Sequence, residues 1–148
     1  MGMQMGSVKM QVVSITPGSP LCRDFENDEM LNYAWISDLT GCSFNGVVAN
    51  GILAARVAWQ VDPTWHSEKG VVGIVTLETL HRFRRHGYAQ VLVDFVRSRF
   101  PDYPVVFEVN TPWAYHFWQR YKPETLGKGR GHSTLLKIMP LEKSKAAM

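Results

Sequence analysis

Cysteine is scarce in this 148-residue chain, which contains only Cys22 and Cys42. The two have no C-x-x-C spacing and no histidine at metal-ligand spacing, so no structural zinc and no other metal are expected. Free thiols in a reducing cytoplasm are the simpler expectation, and a disulfide between the two is the alternative.

Long apolar runs are also missing. No stretch approaches the roughly 18 apolar residues that a membrane-spanning helix needs. Residues 1–11 have no apolar core of the secretory type, so no signal peptide is expected. These absences favour a cytoplasmic protein without a membrane partner. With no repeat and no linker, residues 1–148 are expected to form one domain, with flexible ends at 1–7 and 143–148.

Charge of either sign is modest, with a formal net charge of +3, and 45% of the residues are apolar. This composition allows a core of its own and does not indicate a nucleic-acid partner. The basic charge that exists is concentrated in HRFRRH, residues 81–86. Such a turn is either a solvated surface or a place for an anion.

Hydrophobic periodicity and turn residues divide the chain into strands and helices. Asn50-Gly51 predicts a tight turn between strands Phe44–Ala49 and Ile52–Val61. Thr111 and Pro112 predict the N-cap and first residue of a helix. The other predictions are strands at 8–15, 71–80, 105–109 and 133–139, one or two helices at 24–39, helices at 87–100 and 113–121, and loops at 62–70 and 127–131. The order β, α, β, β, β, α, β, α, β indicates a mixed α/β domain.

The segment RRHGYA, residues 84–89, connects a predicted buried strand to a predicted helix. A helix N-terminus presents unpaired main-chain N–H groups and the positive end of the helix dipole, which together suit a phosphate or a diphosphate. Gly87 allows close approach of the backbone, and Ala89 is small enough not to block it. Arg84 and Arg85 add attraction and possible side-chain hydrogen bonds.

This segment resembles the Q/R-x-x-G-x-G/A signature of the GNAT superfamily of N-acetyltransferases, in which it binds the diphosphate of acetyl-coenzyme A. LETLHRFRRHGYA is similar to the family's strand-to-loop segment, and VVFEVNTPWAYHFWQRY to its fifth strand and fourth helix. Residues 71–121 carry the specific match, and residues 1–43 match weakly. The resemblance implies a GNAT-like acyl-CoA N-acyltransferase fold of the α/β (α+β mixed sheet) class, with a mostly antiparallel sheet that is splayed between its fourth and fifth strands.

The resemblance also implies acetyl-CoA as the cofactor. Main-chain groups of Leu77 and Thr79 are expected to pair with the pantetheine arm, and the N–H groups of residues 85–89 to hold the diphosphate. Asn110 is expected to reach the pantetheine arm or to cap the following helix. The full set of predicted cofactor-binding residues is Leu77, Glu78, Thr79, Arg84, Arg85, His86, Gly87, Tyr88, Ala89, Asn110, Ala114, Phe117 and Trp118.

Acetyl transfer needs a group that removes a proton from the attacking amine. Glu108 lies in FEV, which resembles the Leu-Glu-Val strand end that supplies a catalytic glutamate in some family members. An ion pair with an arginine is the alternative role for Glu108, and Glu78 is the alternative base. Three histidines are further candidates, each expected to be structural or solvent-facing: His81, His86 and His116.

The predicted last helix departs from the family pattern. Many members have a tyrosine four residues after the position of Ala114, and it protonates the leaving thiolate. Here that position is Trp118, whose indole N–H is a poor acid. Tyr115, Tyr121 or water is expected to take this role. Phe117 and Trp118 are expected to pack against the cofactor or the core.

The resemblance implies an N-acetyltransferase that moves an acetyl group directly from acetyl-CoA to a primary amine, on a small molecule, a protein N-terminus or a lysine. One alternative is a catalytically degenerate member that binds acyl-CoA as a sensor or interaction module. Another is a nucleic-acid binder, which leaves the glycine spacing unexplained. Monomer and homodimer both remain open. Three tryptophans are expected to line an acceptor pocket or to pack in the core: Trp59, Trp65 and Trp113.

Overall fold

The computed structural model describes residues 9–16, 18–26 and 41–141. Its strands are β1 Met10–Ser14, β2 Ser43–Ala49, β3 Ile52–Val61, β4 Val72–Thr79, β5 Val105–Val109, β6 Glu124–Lys128 and β7 Thr134–Ile138. Its helices are α1 Arg23–Glu26, α2 Tyr88–Arg99 and α3 Pro112–Trp118, with 3-10 turns at Pro20–Cys22, His81–Phe83 and Gln119–Tyr121. Most of the helix predicted at 24–39, and both predicted flexible ends, lie outside the described residues.

The seven strands form one mixed sheet in the order β1-β2-β3-β4-β5-β7-β6. β1 and β2, β5 and β7, and β6 and β7 pair antiparallel, whereas β4 and β5 are parallel. The predicted mixed α/β fold is confirmed. The parallel ladder runs from Val72 opposite Val105 to Ile74 opposite Phe107, and β4 continues beyond this ladder to Thr79.

The chain divides into two compact units. The first consists of Met1–Ala58 and Thr76–Phe95, and the second of Trp59–Val75 and Val96–Met148. β3, β4 and α2 each contribute residues to both. The single-domain organisation stays a prediction.

The first unit is built on the predicted hairpin of β2 and β3. Asn50 and Gly51 form its turn with φ values of 53° and 83°, as a two-residue turn with positive φ at both positions requires. Successive residues of β3 are buried from Leu53 to Ala58, so this part of the strand is covered on both faces. Phe25 and Leu92 supply further fully buried side chains.

The second unit has its core around β5 and β7. Val105, Val106 and Phe107 of β5 are buried, as is Leu136 of β7. The ring of Trp118 stacks on that of Phe107 with centroids 3.8 Å apart. This contact fixes α3 against β5 through two large apolar side chains.

One strand, β6, is absent from the sequence prediction. The prediction of a loop over 127–131 is wrong for Gly127 and Lys128, which belong to β6, so the sheet has one more strand than expected. Every residue of β6 is exposed, so no alternation of apolar and polar side chains marks it. Its pairing with β7 also shifts in register between Thr125 and Gly127.

Three expectations from composition can be compared with the described residues. Within them, no helix is both long and apolar enough to cross a membrane. Cys22 and Cys42 are free thiols, and burial raises the pKa of the Cys42 thiol. No three His, Cys, Asp or Glu side chains of the described part form a group that could hold a metal ion.

Candidate functional site

The loop from β4 to α2 contains two residues with positive φ. Leu80 leads into the 3-10 turn His81–Phe83, and α2 begins at Tyr88. Between them, φ is 68° at Arg85 and 82° at Gly87. Glycine adopts this conformation freely, whereas for a residue such as Arg85 it costs about 1–2 kcal/mol. Neighbouring contacts must therefore hold the loop in this shape.

The hydrogen bonding of the main-chain N–H groups in this loop differs before and after Arg85. The N–H groups of Phe83 and Arg84 donate to the carbonyl oxygens of Leu80 and His81, at 2.9 and 3.2 Å. In the described part of the chain, the N–H groups of residues 85–89 meet no hydrogen-bond acceptor. Five successive donors at the start of a helix form a site suited to an anion.

His86 lies inside this loop and contacts its backbone. Its Nδ1 is 3.0 Å from the carbonyl oxygen of Phe83 and 2.9 Å from that of Arg84. Its ring stacks on Tyr88 with centroids 5.9 Å apart and planes 11° from parallel. The imidazole is solvent-exposed, whereas Tyr88 is buried. The side chains of Arg84 and Arg85 are exposed, so their charges are available to an anion at the loop.

The β4 residues Leu77, Glu78 and Thr79 are half-buried and precede the loop. Glu78 accepts hydrogen bonds on Oε1 from Nε and Nη2 of Arg56, at 2.9 and 2.7 Å. Arg56 is completely buried, and its guanidinium lies 4.2 Å from the centre of the Phe25 ring. Glu78, the alternative base, is therefore engaged in an ion pair in the interior of the first unit.

Glu108 of β5 holds the loop between β6 and β7. Its Oε2 accepts from the main-chain N–H of Arg130 at 2.7 Å, and its Oε1 accepts from Nε at 2.9 Å. The Arg130 guanidinium also lies 4.8 Å from the centre of the Trp65 ring. A Cβ at Gly129 would be 2.6 Å from Glu108 Oε2, so only glycine fits there without a shift. The ion pair is the arrangement that the sequence left open as an alternative, and a catalytic role of Glu108 stays a prediction.

A shallow depression of about 270 Å³ lies where β5 ends and β7 begins. It brings the predicted residues Asn110 and Tyr115 together with His132 and Thr134, which no sequence motif indicates. Its lining residues are Val109, Asn110, Thr111, Pro112, Tyr115, His132 and Thr134. Tyr115 therefore lines a depression that is open to solvent, and it is exposed.

Thr111 caps α3, as predicted: its Oγ1 accepts a hydrogen bond from the N–H of Ala114 at 3.2 Å. The alternative in which Asn110 caps this helix is therefore wrong, and Asn110 is exposed. Trp118 is expected from the sequence to pack against the cofactor or in the core. In the structure it is buried and stacks on Phe107, which is a core position.

The remaining aromatic candidates of α3 pack on one another. The half-buried Phe117 makes edge contacts with Trp118 and Tyr121, at centroid distances of 5.1 and 6.2 Å. The Arg97 guanidinium lies 5.6 Å from the centre of the Tyr121 ring. Tyr121 is thus enclosed by aromatic and cationic neighbours, whereas Tyr115 faces the depression.

The remaining histidine and tryptophan candidates lie partly at the surface and partly in the core. The candidate bases His81, His86 and His116 are all exposed. Trp59 packs in the core against Phe100, at a centroid distance of 5.8 Å. Trp65 lies under Arg130, and Trp113 is 66% exposed at the start of α3.

The predicted residues thus form two sets, one in each unit. Residues 77–79 and 84–89 belong to the first unit, and all those from Glu108 to Tyr121 belong to the second. Arg130 and His132 are not among the predicted residues. The only sequence signal for them is an arginine between two glycines in GKGRGH, which indicates a tight loop and not a function.

Comparison with solved structures identifies the fold. The Bacillus subtilis N-acetyltransferase YlbP, in complex with coenzyme A, matches with a TM-score of 0.65 and 17% identity, over 90% of this chain and 97% of that one. This chain has the GNAT acetyltransferase fold. AtaTR bound with AcCoA matches the same GNAT fold with a TM-score of 0.68 and 12% identity, over 93% and 97% of the two chains.

A third GNAT structure, the ribosomal-protein-S18-alanine N-acetyltransferase from Escherichia coli, has a TM-score of 0.63 and 10% identity, over 90% of this chain and 94% of that one. No protein-family model matches the chain, and no curated protein sequence matches it. The similarity is therefore one of fold. The GNAT-like fold, which the resemblance of RRHGYA to the family signature implies, is confirmed.

Proposed function

We propose that this protein binds acetyl-CoA and transfers the acetyl group directly to a primary amine of a small molecule, a protein N-terminus or a lysine. The observation that carries the proposal is the run of main-chain N–H groups at 85–89 without an acceptor among the described residues. GNAT structures that hold coenzyme A or AcCoA support the choice of ligand. A cytoplasmic location and the absence of nucleic-acid and membrane partners stay predictions.

The residues of the β4–α2 loop fit the diphosphate of coenzyme A. Five donors and the α2 N-terminus offer hydrogen bonds and a positive potential to an anion. A Cβ at Gly87 would meet nothing within 4 Å, so a ligand has room beside the backbone. Arg84 and Arg85 supply exposed positive charge. In this proposal, main-chain groups of Leu77 and Thr79 bind the pantetheine arm.

Two side chains of the second unit are the candidates for proton transfer. When bound, the thioester supplies the activated acetyl group, and the protein has to remove one proton from the amine and give one to the thiolate. Glu108, with a side chain 15% exposed, is the candidate base, although Arg130 shares both its oxygens. Tyr115 is the candidate acid because it is exposed and lines the open depression.

A second candidate function is an acyl-CoA sensor or interaction module without turnover. Trp118 favours it, since this indole is stacked on Phe107 in the core and offers no acidic hydroxyl at that position. The engagement of Glu108 by Arg130 favours it as well. This candidate shares the cofactor site of the first and differs only in the chemistry.

Two measurements on the purified chain test the proposal. Titration calorimetry with coenzyme A is expected to show one site. Thiol release from acetyl-CoA, followed over a panel of small amines, peptides with free N-termini and lysine peptides, is expected to identify an acceptor. Binding without release by any amine would favour the sensor, and the absence of coenzyme A binding would contradict both candidates.

A further inference from the structure

We propose that His86 is a positioning residue that holds the β4–α2 loop in the shape that binds a diphosphate, an inference that rests on the proposed function. Its Nδ1 is within hydrogen-bond distance of two carbonyl oxygens, those of Phe83 and Arg84, at 3.0 and 2.9 Å. Because carbonyl oxygens only accept, Nδ1 has to carry the hydrogen and donate it to both. The contact therefore selects the imidazole tautomer that is protonated on Nδ1.

This contact determines where the neighbouring amides point. In a trans peptide unit, the C=O and the N–H project in opposite directions. With the carbonyl of Arg84 turned towards His86, the N–H of Arg85 is turned away from it and becomes the first of the free donors. The two carbonyl groups are also occupied, so they do not present negative partial charge to the anion.

The imidazole is itself held in place from both ends of the loop. It stacks on Tyr88, the first residue of α2, and makes an edge contact with Phe83 at a centroid distance of 6.4 Å. His86 therefore connects the 3-10 turn to the start of α2 across the two residues with positive φ, Arg85 and Gly87. Holding the loop before the ligand arrives reduces the ordering cost of binding.

Two variants of the same shape separate the hydrogen bond from the volume of the side chain. In His86→Asn, the amide nitrogen is attached to Cγ as Nδ1 is, so it can donate to the same carbonyls. His86→Leu has the same branching without a donor. We expect the Asn variant to bind coenzyme A and inorganic diphosphate within about threefold of the original, and the Leu variant to bind both about tenfold more weakly, or about 1.4 kcal/mol. Melting temperatures of all three are expected to agree closely.

Nuclear magnetic resonance of the unliganded protein gives a test that does not depend on coenzyme A. Two-bond ¹H–¹⁵N spectra are expected to show the tautomer of His86 protonated on Nδ1, and the other tautomer would overturn the proposal. Equal affinity of the original and the Leu variant for coenzyme A would also overturn it, while the proposed function would stand. If the original protein binds neither coenzyme A nor diphosphate, the proposed function fails and the role of His86 falls with it.

Discussion

Glu108 binds Arg130 both through the main-chain N–H and through the guanidinium, with contacts of 2.7 Å to the main chain and 2.9 Å to Nε. One carboxylate thus fixes the loop between β6 and β7 to the end of β5. The same carboxylate is the candidate base, so its two roles have to be separated by experiment.

Glu108→Gln is expected to lower kcat for acetyl transfer by about 100-fold, because the amide cannot accept the proton of the amine. Its affinity for coenzyme A is expected to be unchanged. Arg130→Ala serves as the matched variant, since it removes the guanidinium contacts of Glu108, leaves the main-chain hydrogen bond and keeps the base. We expect it to reduce kcat less than tenfold in a steady-state thiol-release assay. Equal losses in both variants would mean that Glu108 acts only by holding the loop.

Tyr115 and Tyr121 differ in their surroundings, which separates the two candidate acids. Tyr115→Phe is expected to lower kcat about tenfold or more, because Tyr115 is exposed and lines the depression together with Asn110. Tyr121→Phe is expected to keep most activity, since its ring packs among Phe117, Trp118 and Arg97. Comparison of thiol release by the two variants checks this order, and a reversed order would refute the assignment.

Gly87 and Gly51 form a matched pair for backbone strain. Their φ values are 82° and 83°, and a Cβ at either position would meet nothing within 4 Å. Alanine at either site is expected to lower the free energy of unfolding by about 1–2 kcal/mol, as judged by denaturant titration. Only Gly87→Ala is expected to weaken the binding of coenzyme A. If Gly51→Ala weakens it equally, the loss reflects general destabilisation.

The buried ion pair of Arg56 and Glu78 is expected to be structural. Its side chains are 0% and 9% exposed, so Glu78→Gln removes the charged partner of a buried guanidinium. We expect a loss of about 3–5 kcal/mol in the free energy of unfolding. The double variant Arg56→Met with Glu78→Leu is expected to recover much of it. A stable Glu78→Gln protein without acetyl transfer would instead support Glu78 as the base.

The thiol of Cys42 is expected to react slowly, because burial raises its pKa. The folded state favours the neutral thiol, so its contribution to stability is present below the ordinary cysteine pKa and is lost as pH rises through the folded value. Alkylation requires the thiolate. At mildly alkaline pH its rate should lie below that of a free cysteine and increase with pH, as followed by mass spectrometry with Cys42→Ser as the control. A rate equal to that of free cysteine would contradict this expectation.

Local signals in the sequence predicted most of the fold. The Asn50-Gly51 turn and the Thr111-Pro112 helix start are correct because each depends on a few adjacent residues. β6 could not be predicted, since it is exposed throughout and carries no periodic pattern.

The candidate site also has one part that local sequence predicts and one part that it does not. The proposed phosphate-binding role of the β4–α2 loop is predicted from a short contiguous motif. The partners of Glu108 and Glu78 cannot be predicted from such a motif. Arg130, the partner of Glu108, and Arg56, the partner of Glu78, are each 22 residues away in the chain, and the pairing of strands brings them near. Which charges meet across a sheet depends on register, which no local pattern encodes.

The central claim is that main-chain N–H groups of residues 85–89 bind the diphosphate of coenzyme A. Amide ¹H–¹⁵N spectra recorded during titration with coenzyme A observe these groups directly. The account predicts that the signals of residues 85–89 shift most and saturate at one equivalent. Unchanged signals for these residues, whether or not coenzyme A binds elsewhere, would contradict it.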